Sequence, residues 1–170
     1  MALFIEYETI IKTLRRMTHE IIEKSNSLED TVLIGILNKG YPIAKIIQEN
    51  ILKYEGIQVA TVALDISNYR DDEKKTPSQN SVFEVTNKTC IIIDDVLYTG
   101  RTVRAAMDAL VDMGRPKKVE LAVLIDRGHR ELPIRPDYIG KNIPTSSDEQ
   151  VSVRLEGNNP GVFIVKKGEK

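Results

Sequence analysis

Two adjacent carboxylates, Asp94 and Asp95, close the apolar run Cys90-Ile91-Ile92-Ile93, and Val96, Leu97, Tyr98, Thr99, Gly100, Arg101 and Thr102 follow them. A helical pattern then starts at Val103. Carboxylates accept hydrogen bonds from sugar hydroxyls or sit near a magnesium ion. Loop amides and a helix start hold a phosphate. Thr99 and Thr102 add short hydroxyls, and Gly100 lets the backbone approach a ligand closely. A strand, two acids, a hydroxyl-and-glycine loop and a helix N-terminus together suit a phosphorylated sugar. Asp-Asp alone is equally an ordinary solvated turn, because turn chemistry favours Asp there. A receiver domain phosphorylated on aspartate also carries paired acids after a strand. The Thr-Gly-Arg-Thr loop and its helix suit a bound phosphate ester better.

These residues need elements that bring them to one edge. Residues 31–37 read as a fully buried strand, Asn38-Lys39-Gly40 as a turn, and Pro42 as a first-turn helix residue. Ile43, Ile46, Ile47 and Ile51 give that helix its apolar face, and residues 59–66 read as the next strand. Such a βαβ unit predicts a parallel sheet. Val103, Ala106, Met107, Leu110 and Val111 line the helix after the acids, which Gly114 and Pro116 stop. Residues 119–125 form another buried strand ending at Asp126-Arg127-Gly128. Three strand ends therefore carry candidate ligand loops, and a doubly wound, mainly parallel α/β sheet gathers them along one edge.

The flanks read differently. Ile10, Leu14, Met17, Ile21 and Ile22 predict an amphipathic helix over residues 7–24. Residues 67–82 lose apolar periodicity; a stretch this long is either a functional lid or merely solvated. Tyr69 and Arg70 open it and could act on a substrate once it closes. Phe83 and Val85 suggest a short strand. After Arg130, Pro133, Pro136 and Pro144 exclude long helices and central strands. Residues 133–170 then read as a small hood or flap ending in a hairpin around Gly157-Asn158-Asn159-Pro160-Gly161.

The length of 170 residues suits one domain covering residues 1–170, and the single cysteine, Cys90, rules out an internal disulfide. A net charge of −1 means that any nucleic-acid site must be a local patch. No apolar run approaches a membrane span, and no signal peptide is read at the N-terminus, so a cytoplasmic protein is expected.

The stretch from Cys90 to Thr102 resembles the phosphoribosyl pyrophosphate (PRPP) motif of type I phosphoribosyltransferases. The run Asp126-Arg127-Gly128-His129-Arg130-Glu131-Leu132-Pro133-Ile134-Arg135-Pro136-Asp137-Tyr138-Ile139-Gly140-Lys141-Asn142-Ile143-Pro144-Thr145 narrows the match. With Tyr69-Arg70-Asp71-Asp72, it closely resembles the PyrR family of bacterial pyrimidine-operon regulators, along nearly the whole chain. That resemblance implies the type I phosphoribosyltransferase fold and transfer of phosphoribosyl from PRPP to uracil, giving UMP and pyrophosphate, with Mg2+. It also implies binding to a stem-loop in pyrimidine-operon leader mRNA, promoting transcription termination, and assembly into dimers or higher homo-oligomers.

By resemblance, Asp94 and Asp95 hold the ribose, and Val96, Leu97, Tyr98, Thr99, Gly100, Arg101 and Thr102 wrap the 5′-phosphate. Asn38, Lys39 and Gly40 would meet the pyrophosphate, with Arg70 arriving from the lid and magnesium held mainly by PRPP and water. Uracil is expected near Asp126, Arg127 and Ile143. The family's pyrophosphate loop commonly reads Thr-Arg-Gly; Lys39 keeps the charge and lacks the two-pronged geometry of arginine. No general base is assigned, because tyrosine, here Tyr98, has a reference pKa of about 10. Charge alone favours reading Arg127, His129, Arg130, Arg135 and Lys141, with Arg15, Arg16 and His19 on the first helix, as solvated cations. The resemblance instead places Arg15, His19, Arg130, Arg135 and Lys141 at an RNA face. Two alternatives stay open: a plain uracil phosphoribosyltransferase, and an RNA-binding nucleotide sensor with little catalysis.

Overall fold

A computed structural model of the chain describes residues 1–70 and 83–168. Most of the expected lid, with Asp71 and Asp72, lies outside the described residues.

Strand β2 (Thr31–Ile36) is buried at every position, and β4 (Thr89–Leu97) is buried along its apolar half. Alternate residues of both strands serve opposite faces. Leu33, Ile91 and Ile93 join one core cluster, while Val32, Ile34, Cys90 and Ile92 join another. A strand covered on both sides needs apolar residues at every position, which explains the unbroken runs. The first cluster is completed by α1 (Tyr7–Lys24) and α2 (Gly40–Glu55), and the second by α3 (Arg101–Met113). With β3 (Ala60–Leu64), β5 (Lys118–Asp126) and β6 (Tyr138–Asn142), the strands form a five-stranded parallel sheet in the order β3-β2-β4-β5-β6.

The order reverses between β2 and β4. Their pairing ends at Gly35↔Ile93, whereas β4 continues beside β5 to Leu97↔Asp126. Asp94 is thus the first residue past the shared ladder, at the crevice where open α/β sheets bind ligands.

A second sheet is antiparallel, in the order β1-β8-β7, from β1 (Ala2–Glu6), β8 (Gly161–Lys166) and β7 (Glu149–Arg154). Its buried Ile5, Val153 and Val162 pack into the first core cluster. The expected C-terminal hairpin is therefore joined by the chain's first residues. Tyr138–Asn142 belongs to the central sheet as an edge strand, which tolerates the prolines around it. The short strand expected at Phe83 and Val85 does not form. Glu84 accepts the backbone N–H of Thr86 at 2.8 Å, and Asn87 takes a positive φ of 63°, so the chain bends there into β4.

The open edge of β6 is covered by α1: Arg16 donates to the carbonyls of Ile139 and Gly140 at 3.2 and 2.6 Å. Pairing a sheet edge in this way removes a template for aggregation. A Cβ on Gly140 would lie 2.3 Å from the Leu124 carbonyl and 2.9 Å from Thr13 Cγ2. Gly140→Ala is expected to cost about 1–3 kcal/mol, read as a lower urea midpoint with an unchanged slope.

Candidate active site

Gly40 sets the geometry of the crevice. A Cβ there would lie 2.1 Å from the Ile93 carbonyl and 3.0 Å from Asp94 Cα. Only glycine lets α2 begin against the end of β4. The preceding Leu37 N–H donates to the Leu64 carbonyl at 2.9 Å, and the Leu37–Asn38 peptide is cis.

Asp94 is 8% exposed. Its Oδ1 accepts the N–H of Asp95 at 2.9 Å, and Asp95 Oδ1 accepts the N–H of Val96 at 2.8 Å. Desolvation raises the Asp94 pKa well above the ordinary carboxylate range, and the neighbouring Asp95 charge adds to the rise. The positive charge of Arg70 opposes it. Burial likewise pushes the Cys90 thiol up to about 11, so this cysteine is an inert core residue.

The following loop is held from outside. Gly100 has a φ of +94°, and its carbonyl accepts the Arg104 N–H at 3.0 Å, opening α3. Thr99 Oγ1 accepts the Arg101 N–H at 3.2 Å. The Thr99 carbonyl accepts the N–H groups of Glu131 and Leu132 at 2.9 and 3.1 Å, and Arg101 pairs with Glu131 at 3.1 Å. Arg130 donates to the Tyr98 carbonyl at 3.0 Å, the Ile134 carbonyl at 2.8 Å and Asp126 Oδ2 at 2.6 Å. Residues 126–134 thereby bracket residues 98–102. The braced loop lines a cavity of about 300 Å³ with Arg70, Asp94, the end of β4 and the first turn of α3.

Not every expected residue joins that cavity. Lys39 Nζ donates to the Val153 carbonyl of β7 at 2.9 Å, so its amine ties α2 to the second sheet. Asp126 spends its carboxylate on Arg130 and on the Gly128 N–H at 3.1 Å. The Arg127 guanidinium is buried 4.0 Å from the Tyr98 ring and donates to Thr145 Oγ1 at 3.0 Å and the Ser146 carbonyl at 3.2 Å. Asp126 and Arg127 line a separate depression with His129 and Thr145. Ile143 is a core residue whose N–H donates to the Asp126 carbonyl at 2.9 Å.

The chain's similarities agree with this geometry. A family model for the phosphoribosyl transferase domain matches residues 6–155. A protein of Clostridium kluyveri named Bifunctional protein PyrR is 54% identical over 159 residues, covering 91% of this chain and 90% of that one. One of the same name from Haemophilus influenzae is 48% identical over 163 residues, covering 91% of each chain. The chain belongs to the PyrR family of phosphoribosyltransferases. Among solved structures, a hypoxanthine-guanine phosphoribosyltransferase of Bacillus anthracis superposes with a TM-score of 0.75 at 20% identity, covering 97% of this chain and 98% of that one. The hypoxanthine phosphoribosyltransferase of Trypanosoma cruzi gives 0.76 at 15% identity, covering 98% and 97%. These two share the fold.

The PyrR-type run at residues 126–134 is where sequence reading missed a role. It marked Arg130 for RNA alone, and in the fold Arg130 and Glu131 also hold residues 98–101. No local signal marks this bracing, because the loop residues it reaches lie some thirty positions away. The other RNA-face residues are differently placed. Arg15, Arg135 and Lys141 are exposed. The exposed His19 lies 4.5 Å from the Tyr54 ring. Arg16 links α1 to β6, which carries Lys141.

Asp94 holds its proton more tightly folded than unfolded. Its ionisation therefore costs stability, fully above the raised folded-state pKa and not at all below the unfolded value. Asp94→Asn is expected to raise Tm by about 2–4 °C at pH 8. The gain should shrink as pH falls through the raised folded-state pKa toward the unfolded one, which calorimetry across that range checks.

Proposed function

We propose that the cavity binds PRPP and that the chain transfers its phosphoribosyl group to uracil, giving UMP and pyrophosphate. The observation that carries this is the bracketed loop of residues 98–102 beside a buried carboxylate at the sheet's reversal point. The amides of that loop and the start of α3 suit the 5′-phosphate. Asp94 in the lining and the half-buried Asp95 beside it suit the ribose hydroxyls, since a buried carboxylate such as Asp94 gains most from donors that restore its lost solvation. In the reaction the bond from C1 to the pyrophosphate oxygen breaks, and a bond from C1 to the uracil nitrogen forms, through a cation-like ribose. The protein's part is to orient the two reactants, exclude water and offset the leaving group's charge. Arg70, in the cavity lining, is placed for that last task.

Among the described residues no three His, Cys, Asp or Glu side chains converge on a metal site. Magnesium would be held mainly by the diphosphate of PRPP and by water, with the carboxylates of Asp94 and Asp95 nearby. Mg2+ bound there would supply charge to the leaving pyrophosphate. Uracil would lie beyond the ribose, toward the end of β5 and the second sheet, in contact with Ile143 and the backbone near Asp126 and Arg127.

The relatives' name, with the two functions it declares, supports a second role. The chain binds leader mRNA of a pyrimidine operon when UMP fills the site, and promotes termination there. Arg15, His19, Arg130, Arg135 and Lys141 form the proposed RNA face, and Arg130 also braces the loop through the Tyr98 carbonyl. Single-stranded loops and bulges are read through phosphate contacts and stacking. No described helix is long and apolar enough to cross a membrane, which suits action on RNA in the cytoplasm. Assembly into dimers or larger homo-oligomers is part of the proposal, with Val111, 71% exposed on α3, available for contact between copies.

Incubation with PRPP, uracil and Mg2+ should yield UMP. Asp94→Asn combined with Asp95→Asn should abolish PRPP binding measured by calorimetry; full affinity in that variant would remove the site assignment. PRPP affinity should fall as pH drops through the raised Asp94 pKa, and Asp94→Asn should flatten that profile. Because Lys39 is engaged by Val153, slow transfer with intact UMP and RNA binding would favour the nucleotide-sensor reading.

A leader-RNA titration with UMP tests the second role. Arg135→Gln and Lys141→Gln should each weaken RNA binding by about 5–10-fold, roughly 1 kcal/mol per lost phosphate contact, with transfer intact. Arg130→Gln should lower transfer, because it opens the bracket. Equal loss of both activities in Arg135→Gln would place that residue in the active site instead.

A further inference from the structure

Among the described residues, Arg70 is the one member of the cavity lining contributed from outside β4, its loop and α3. A long arginine carries about 2 kcal/mol of rotamer entropy, so its use as an anion clamp depends on where its backbone is fixed. The turn after β3 supplies that fixing. Asp65 Oδ1 accepts the Ser67 N–H at 3.0 Å, and the Ile66 carbonyl accepts the Tyr69 N–H at 2.9 Å. The Tyr69 ring packs against the second core cluster. Its hydroxyl donates to Asp112 Oδ2 at 2.5 Å, across forty-three positions of sequence. Asp112 lies in the last turn of α3, the helix whose opposite end forms the phosphate-type loop.

We propose that Tyr69 and Asp112 are a positioning pair that sets Arg70 over the Asp94 cavity, where it meets the diphosphate end of PRPP. This rests on the transferase reading above. One hydrogen bond ties the turn bearing Arg70 to the helix bearing the phosphate loop, so the two sides of the cavity keep a fixed separation. Neither Tyr69 nor Asp112 lines the cavity. Their contact is exposed, where such bonds add little to global stability. Hydrogen bonding to Asp112 pushes the Tyr69 phenol up to about 12, so the hydroxyl stays a donor at neutral pH. Tyr69→Phe keeps the packed ring and removes only the donor. Asp112→Asn keeps an acceptor oxygen for it.

The test is a set of steady-state assays beside PRPP calorimetry on the full chain. Tyr69→Phe and Asp112→Ala should each raise KM and Kd for PRPP by about 5–10-fold, with kcat within about twofold and Tm nearly unchanged; a fivefold change corresponds to about 1 kcal/mol. Asp112→Asn should restore PRPP affinity to within about twofold of wild type. In an Arg70→Ala background, Tyr69→Phe should have no further effect, because the pair acts through Arg70. Unchanged PRPP affinity in Tyr69→Phe overturns the proposal, as does an equal further loss in the Arg70→Ala background. Wild-type protein that binds no PRPP overturns the transferase reading itself, and the positioning role falls with it.

Discussion

The close seating of α2 on the end of β4 is the constraint on which the rest of the molecule depends. A backbone hydrogen at Gly40 stands where any side chain would strike the Ile93 carbonyl. That contact fixes the start of α2 beside Asp94 at the point where β2 and β4 part. Asp94, 8% exposed beside that contact, sits where desolvation disfavours its charged form. A site that is costly to leave empty and able to satisfy a ligand's hydroxyls converts that cost into affinity. Glycine, strand reversal and desolvated acid form one physical unit.

The second structural theme is support from a distance. A loop of Thr, Gly and Arg of the kind proposed to wrap a phosphate needs its amides already aimed, since ordering it during binding would consume the binding energy. Here the aim comes from residues 126–134, which leave the neighbouring strand and return hydrogen bonds to the Tyr98 and Thr99 carbonyls. Arg130 joins three partners, two in its own run and one in the loop after β4, in one planar fork, work for which a lysine's single ammonium has the wrong geometry. The same economy governs other cations. Arg16 covers a sheet edge, Arg127 fills the space against Tyr98, and Lys39 holds the second sheet to the first. The exposed cations Arg15, Arg135 and Lys141 lie outside these braces. A count of basic residues therefore overstates what faces a partner.

Much of this was legible in the chain. Unbroken apolar runs meant strands buried on both faces, helical spacing meant α1, α2 and α3, and the Asp-Asp-to-Thr run marked the loop at the strand end. The short outer strands were less readable. Tyr138–Asn142 is a mixed stretch between prolines, and Ala2–Glu6 is largely exposed yet pairs with Gly161–Lys166 at the far end of the chain. Their hydrogen bonds are made by backbone, which carries no residue-specific signal.

Local patterning decided which segments become strands and helices, and which loop carries acids, hydroxyls and glycine together, because those properties depend on neighbours three or four residues away. Only the folded chain decided which partners the long side chains find within the protein. Arginine and lysine reach several ångströms from their backbone, and their partners, such as the Tyr98 carbonyl for Arg130 and the Val153 carbonyl for Lys39, come from segments that meet only after the sheet has formed.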